Sequence, residues 1–514
     1  MNDVSAAITR LEAMLAREGA GAARLFELGG LKLSRGDLPG AIAAYQQCCA
    51  FEPRSAPLFN NLGSALSKAG RLDEAIMALE TSLRLDPSYV RPRVNLGKAL
   101  FEAGRAGEAV VCLRAVLRQQ PDYVPALVNL GNALAASGDG EAAHAALMRA
   151  VERDAFCVEA RMALADLHLR AGRLSQAIEE LQGAVARAPS HAEAHWHLGH
   201  LLFMAGRWEE AWPHMEYRLE RIDFTPPPGI ERWDGGVRPH QEVWLVGEQG
   251  LGDQLQFARY APILAEAGVP CVLHCDARLV ALLAQAHLAP RVEPLGKAQP
   301  AVSSQAAWIP LMSLPIWHRT TPDSVPRANG YLVADPVRVE HWHERLPKPP
   351  GGRIGLAWSG NPRFEVGRNV GRSPPLRALA PLARFTDVAF LSLQKGAGEE
   401  QLADPVFHWI TRLHGLDEGF DAFLDTAAVL QCIDLLITSD TGIAHLAGAL
   451  GVPTWLCLMK TPDWRWMLEG CETSWYRSVR VFRQPAAGDW ASVYAQIAAE
   501  LARGRGVAGA IAGS

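Results

Sequence analysis

Three glycine-bearing stretches hold the residues best able to do chemistry. The first is Val243-Trp244-Leu245-Val246-Gly247-Glu248-Gln249-Gly250-Leu251-Gly252-Asp253-Gln254-Leu255-Gln256-Phe257, where a β-branched and aromatic run stops at a glycine cluster and a helical pattern starts at once. A strand that hands over to a helix in this way stands at the mouth of an α/β sheet, where ligands bind. Asp253 falls in the first turn of that helix, where the dipole favours the ionised carboxylate. It can act there as a general base on an incoming hydroxyl, or merely cap the helix; spacing alone gives the cap. Gly250, Gly252 and Gln254 form the loop beside it. The spacing G-x-x-G-x-G (Gly247, Gly250, Gly252) is not the dinucleotide fingerprint, and no Lys-Ser/Thr pair follows as in a phosphate loop. Neither an NAD enzyme nor an ATPase is therefore expected.

The second stretch runs from Leu436 to Pro453. A buried strand ends at Ser439-Asp440, Thr441-Gly442 makes the turn, and a small-residue helix follows. Backbone N–H groups at such a helix start, unobstructed at Gly442, suit a monophosphate or diphosphate, and Thr441 adds a hydroxyl. The plainer reading is a strand-turn-helix that Asp440 caps. His445, one turn in, either belongs to the core or faces a ligand or carboxylate. The third stretch, Ala357-Trp358-Ser359-Gly360-Asn361-Pro362, is another strand end with exposed backbone donors; Arg368-Asn369 and Arg372-Ser373 follow. Loop arginines such as Arg368 and Arg372 suit phosphate, although most loop arginines are only solvated. Gln394 and Lys395 end the next strand, within reach of a base or ribose.

The first half of the chain is a ruler. Leu28-Gly29, Leu62-Gly63, Leu96-Gly97, Leu130-Gly131, Leu164-Ala165 and Leu198-Gly199 recur every 34 residues, as do Ala41, Ala75, Ala109, Ala143, Ala177 and Ala211. Pro53, Pro87, Pro121 and Pro189 keep the step, with Ala155 and Asp223 in the other two places. Six such units, from about Ala22 to Asp223, resemble tetratricopeptide repeats. One helix pair cannot bury its own apolar face, so the units stack into a solenoid with a concave groove for peptides or protein surfaces. Residues 1–21 are expected to add a capping helix. Asn61, Asn95 and Asn129 precede three successive Leu-Gly pairs. This ladder resembles the one in repeat-containing O-GlcNAc transferases, where amides grip a peptide backbone; equally, Asn is common at this position, and the ladder stops at Ala163 and His197. His191, His195, His197 and His200 crowd one helix. The first two have metal-like spacing, but no carboxylate or thiol completes a set, so a polar groove face is the simpler reading.

Thr225-Pro226-Pro227-Pro228-Gly229 ends the helical pattern. Strand-like runs (Val243–Val246, Cys271–His274, Ile354–Trp358, Val388–Leu393, Leu435–Thr438, Thr454–Leu458) then alternate with helical stretches, which predicts α/β layering on parallel sheets. A second proline-rich passage at Lys348-Pro349-Pro350-Gly351-Gly352 divides this part. The expected organisation is a repeat solenoid at 1–224, a linker at 225–241, two α/β halves at 242–335 and 336–502, and a frayed Gly/Ala-rich tail at 503–514. With 514 residues, 49% hydrophobic and 20% charged, the chain reads as a multidomain globular protein. A formal charge of −5 gives no reason to expect nucleic acid. No apolar run reaches bilayer length and residues 1–20 lack a signal-peptide core, which predicts a cytoplasmic protein without a transmembrane segment. Nine cysteines with no C-x-x-C pair suggest reduced thiols rather than a disulfide frame or zinc.

Gly250-Leu251-Gly252-Asp253, Arg372 before Pro374-Pro375-Leu376, and Asp440-Thr441-Gly442-Ile443-Ala444-His445 together resemble the heptosyltransferase-like GT-B glycosyltransferases, from about Glu242 to Leu501. Pro462-Asp463-Trp464-Arg465-Trp466, Ser474-Trp475-Tyr476 and Phe482-Arg483-Gln484 look like the version fused to tetratricopeptide repeats in bacteria, some members of which glycosylate flagellin in the cytoplasm. The resemblance implies an α-solenoid followed by a GT-B-like pair of Rossmann-type α/β domains. It implies a catalytic base at Asp253 and a nucleotide-sugar site built from Ser359, Gly360, Asn361, Arg372, Lys395, Asp440, Thr441, Gly442 and His445. The implied reaction moves a sugar onto an acceptor hydroxyl, most simply of a protein held by the repeats. No D-x-D triplet occurs, so no metal or other cofactor is expected, helix dipoles and arginines serving instead. The first half-domain is short, and the glutamate that heptosyltransferases use near the base is not identifiable. Two other readings stand beside this one: a non-catalytic scaffold whose α/β part binds a nucleotide sugar or is inert, and a transferase for lipid-linked or cell-surface glycans.

Overall fold

The computed structural model describes residues 2–222, 224–238, 241–296, 306–365 and 371–503; Asp223, Arg368, Asn369 and the tail after Arg503 lie outside them. The chain forms two compact units, Met1–Ala194 and His195–Ser514.

In the first unit a helix at Asn2–Glu18 precedes antiparallel helix pairs, beginning with Ala22–Ser34 and Leu38–Phe51 and ending with Val158–Arg170 and Leu174–Arg187. The 34-residue step has a steric cause. A methyl group on Gly63, Gly97 or Gly131 would sit 2.4–2.6 Å from the Cγ of Leu79, Leu113 or Leu147, so the paired helices touch where only glycine fits. Ala41, Ala75, Ala109, Ala143 and Ala177 are fully buried on the partner helices. Gly36, Gly70, Gly104, Gly138 and Gly172 hold the left-handed turn inside each pair.

The sixth pair, Ala192–Met204 and Trp208–Met215, lies in the second unit from His195 onward, although its sequence belongs to the repeat series. The reason is aromatic packing. Phe203 stacks 4.2 Å from Trp464, Trp208 stacks 5.1 Å from Trp475, and the Trp212 indole donates to the Thr320 carbonyl at 2.8 Å. Arg218, fully buried in the turn that follows, forks onto Glu248 at 3.0 and 2.5 Å. The two compact units thus divide at 194/195, within the sixth repeat pair.

The rest of the second unit holds two all-parallel sheets. In the first, β1 (Glu231–Arg232), β2 (Val243–Val246), β3 (Cys271–Cys275), β4 (Arg291–Pro294) and β5 (Ala307–Pro310) lie in the order β1-β5-β2-β3-β4. In the second, β6 (Arg353–Ala357), β7 (Ala389–Ser392), β8 (Ile410–Arg412), β9 (Leu435–Ser439), β10 (Thr454–Leu458) and β11 (Val479–Arg483) lie in the order β11-β10-β9-β6-β7-β8. Strands β2, β3, β5, β6, β9 and β10 are buried along their whole length, as parallel strands covered on both faces must be. Each sheet changes winding direction once near its middle, between β2 and β5 in the first and between β6 and β9 in the second. Ligands of open α/β sheets bind outside the strand ends at such a point. All three glycine stretches of the sequence follow strands that border these two points.

Candidate functional site

The loop after β2 leads into the helix Leu251–Phe257, and the loop after β9 into the helix Gly442–Ala449. Their first turns meet. A Cβ on Gly252 would stand 3.0 Å from the His445 ring and 3.3 Å from the Cα of Gly442. The two winding switch points therefore meet at a pinch of glycine backbone.

Asp253 stands on one side of the pinch with a fifth of its side chain exposed. Its Oδ2 accepts the Gly250 N–H at 2.9 Å, which is the capping role. Its Oδ1 accepts from the guanidinium of Arg465, contributed by the loop after β10. Gln254 does not face this gap. Its Oε1 accepts the Asp276 N–H at 2.8 Å and so ties the loop to the end of β3.

On the other side, Asp440, Thr441 and Gly442 are partly exposed at the helix start. Burial and then the nearby charge of Asp463 raise the Asp440 carboxyl above its usual range, against Trp466, Arg372 and Arg465. Arg372 reaches this corner from the loop before Pro374: its Nη2 lies 2.9 Å from where a Cβ on Gly360 would be, and the Thr441 methyl is 3.3 Å from the same point. The Arg372 Nε is buried with no hydrogen-bond partner. Gly360 donates its N–H to the Ser373 hydroxyl at 3.0 Å. Gln394 braces the strand ends by accepting the N–H groups of Trp358 and Ser359 at 2.9 and 2.8 Å.

Three of the expected donor residues have other work. The Lys395 ammonium is taken by the carbonyls of Leu416 and Asp417. Asn361 caps a short turn, accepting the Arg363 N–H at 3.0 Å. His445 is buried, with its Nδ1 3.0 Å from the Tyr476 hydroxyl and its ring stacked on Trp466. Burial, then the charge of Arg465, drives its pKa down to about 3. It stays neutral and packs against Gly252 rather than offering positive charge to a phosphate. Ser359 is half-buried, its Cβ close against Gly398.

Asp463 and Arg465 escaped the sequence reading as site residues. The Asp463 carboxyl is held below its usual range: burial opposes this, but Arg465 and then His200 favour the charge. Glu248 is the glutamate nearest the base in sequence. It is one end of the buried pair with Arg218, and it also accepts the Met312 N–H at 3.2 Å. Its place is to hold the β2 and β5 ends together.

Among the asparagines, Asn95 donates to Asn60 at 2.9 Å and Asn60 to Asn61 at 3.1 Å, so the ladder is chained through a neighbour absent from the periodic set. Asn61, Asn95 and Asn129 are all half-buried. The His195 and His214 Nδ1 atoms are 2.7 Å apart, and no group of three histidine, cysteine or carboxylate residues suited to a metal occurs among the described residues. Among the same residues no helix is long and apolar enough to cross a membrane.

Comparison with known proteins supports the repeats. Tetratricopeptide-repeat family models match residues 66–130 in one case and 1–56, 128–190 and 162–215 in another. The chain thus carries tetratricopeptide repeats, units that build protein-binding surfaces. Protein FlbA of Caulobacter vibrioides is 29% identical over 319 residues, which cover 57% of this chain and 52% of that protein. The chain thus spans about half the length of the curated relative it matches. Among solved structures, a thermophilic tetratricopeptide-repeat protein of Thermus thermophilus is 22% identical with a TM-score of 0.34, covering 35% of this chain and 99% of its own. Another, from Parabacteroides merdae, is 20% identical with a TM-score of 0.32, covering 40% and 81%.

Proposed function

We propose that the second unit is a glycosyltransferase of the GT-B kind, and that the repeats recruit its protein acceptor. One observation carries this reading: the two winding switch points meet at Gly252 and Gly442, with a carboxylate on one side and an arginine-lined helix start on the other. A nucleotide sugar lays its phosphates at the Gly442 helix start, beside Arg372 and the Thr441 hydroxyl. The acceptor hydroxyl enters beside Asp253. Its oxygen attacks the anomeric carbon of the sugar, and its proton passes to the Asp253 carboxylate. The bond from that carbon to the phosphate oxygen breaks, its electron pair leaving on the nucleotide phosphate. Arg372 and the helix-start amides stabilise that charge where it develops. The Asp253–Gly250 hydrogen bond, the capping geometry, serves this role as well, since it fixes the carboxylate at the gap.

The test is calorimetric titration with UDP-, GDP-, ADP- and CMP-sugars, followed by intact-mass measurement of proteins captured by the full chain. Expected is one donor class that binds, a captured protein that gains the mass of one sugar, and an Asp253→Asn variant that binds the donor but transfers nothing. Captured partners that never gain sugar mass with any donor would leave a repeat scaffold in place of a transferase.

A further inference from the structure

We infer that Arg465 is the positioning residue of the transfer centre, a guanidinium whose fork fixes the Asp253 carboxylate at the Gly252–Gly442 gap. The inference rests on the transferase reading and adds a residue to it.

Arg465 lies in the turn Trp464–Trp466, between two tryptophans that are each 1% exposed. Only 8% of its own side chain is exposed. Every nitrogen of the fork is assigned. Nε donates to Gln256 Oε1 at 2.6 Å, Nη1 to Asp463 Oδ1 at 2.9 Å, and Nη2 to Asp253 Oδ1. The backbone N–H of Arg465 donates to the same Asp463 oxygen at 3.1 Å. The Trp464 ring lies 4.5 Å and the Phe257 ring 5.9 Å from the guanidinium carbon. A planar cation held by three acceptors and two rings has one orientation, and that orientation aims its last N–H pair at Asp253.

The arrangement joins the sheet carrying the base to the sheet carrying the phosphate corner, through a bond between residues 212 apart in sequence. Gln256 and Asp253 both lie on the Leu251–Phe257 helix, so the fork grips that helix at two points one turn apart. Asp440 is also within the field of Arg465. One buried cation thus sits among three carboxyl groups, and the one it holds at the acceptor side is the proposed base. A carboxylate misplaced by about 1 Å from its reacting hydroxyl costs on the order of 10²-fold in rate.

The experiment compares the full chain with Arg465→Gln, Arg465→Lys and Gln256→Leu, using the donor sugar found by titration and its protein acceptor. Arg465→Gln is expected to lower kcat about 10²-fold with donor Kd within threefold of the parent. Arg465→Lys keeps the charge but has no fork, and is expected to recover less than a tenth of the parental kcat. Gln256→Leu removes one acceptor and leaves both carboxylates paired, so it should fold and show an intermediate loss in kcat alone. Parental kcat in Arg465→Gln or Gln256→Leu overturns the role, as does full recovery in Arg465→Lys. A loss in Arg465→Gln that appears as weakened donor binding makes Arg465 a phosphate ligand and also overturns it. A parental chain that transfers from none of the donors sinks the transferase reading itself, which separates the two failures.

Discussion

Gly252 and Gly442 pack main chain against main chain: the Cβ position of Gly442 lies 3.8 Å from the Gly252 nitrogen and 4.0 Å from its Cα. Each glycine opens one helix, so the closeness of the pair sets the distance between the base and the phosphate corner. A branched side chain at residue 252 would meet the His445 ring, which is held from behind by Tyr476 and Trp466. Gly252→Val should therefore part the two helix starts and lower transfer about 10²-fold, read as initial rates against the donor that binds. A parental rate in this variant would mean that transfer does not occur at the pinch.

Arg372 brings to the phosphate corner a buried Nε with no partner, a donor that a bound phosphate oxygen would satisfy. A hydrogen bond to a charged group is worth roughly 1.5–3 kcal/mol, so Arg372→Gln should weaken donor binding about 10- to 100-fold. Calorimetric titration with the nucleotide sugar measures this directly. Unchanged affinity would remove Arg372 from the donor site.

Glu248 sits five positions before Asp253 in the same glycine loop, but it is structural. Both ends of its pair with Arg218 are about 1% exposed. Glu248→Ala leaves the buried Arg218 guanidinium with Glu216 as its remaining carboxylate partner and should cost somewhat less than the roughly 3–5 kcal/mol of a fully unpaired buried charge. Exchanging both for apolar residues, Glu248→Leu with Arg218→Met, should recover most of it. All 15 tryptophans fall after residue 195, so tryptophan fluorescence during urea unfolding reports on the second unit alone. Equal destabilisation by the single and the double variant would contradict the pairing account.

The repeats were legible because one packing contact is used again and again. Gly97 against Leu113 is the same event as Gly131 against Leu147, and a recurring steric demand writes itself into the sequence as a period. Helix Asn2–Glu18 was legible from its amphipathic pattern, and the six expected strand runs because mostly buried parallel strands are continuous apolar runs. Strands β1, β4 and β8 were not, since each is a short edge strand with exposed residues. Strand β5 has only four residues, two of them Ala307 and Pro310, too few to show a pattern. Asp253 and the Asp440–Gly442 turn stood out in the sequence because strand-glycine-helix junctions are local, and Arg372 because it is a cation in an irregular loop. Arg465 could not, because its function depends on a partner 212 residues away. Its one local signal is an arginine between two tryptophans just past a buried strand, a place where an uncompensated charge is costly. His445 was ambiguous because a neutral core histidine and a ligand-facing one look alike among small residues; only its burial against Tyr476 and Trp466 decides.

That burial also fixes how the second unit responds to acid. His445 has its pKa driven from 6.5 to about 3 by burial and then Arg465, and His214 from 6.5 to about 4 by burial and then His195. A depressed histidine favours the proton-free form in the fold, so its contribution is complete above the unfolded value of about 6.5. It is lost as pH falls towards the folded value, because the unfolded chain takes up the proton first. Asp440 works the other way. Its raised carboxyl favours the protonated form in the fold, so it adds stability as the pH drops below its folded value. His274 and His318 are also lowered by burial and the Glu248 carboxyl is also raised by burial, so four histidines against two carboxyls should leave a net loss between about pH 6.5 and 4. The urea midpoint of tryptophan fluorescence should fall across that window. His445→Gln, which has no proton to gain, should flatten the slope even though its midpoint at pH 7.5 is lower than that of the parent. A slope as steep in the variant as in the parent would place the acid sensitivity elsewhere, and would remove the case for a neutral His445 packed against Gly252.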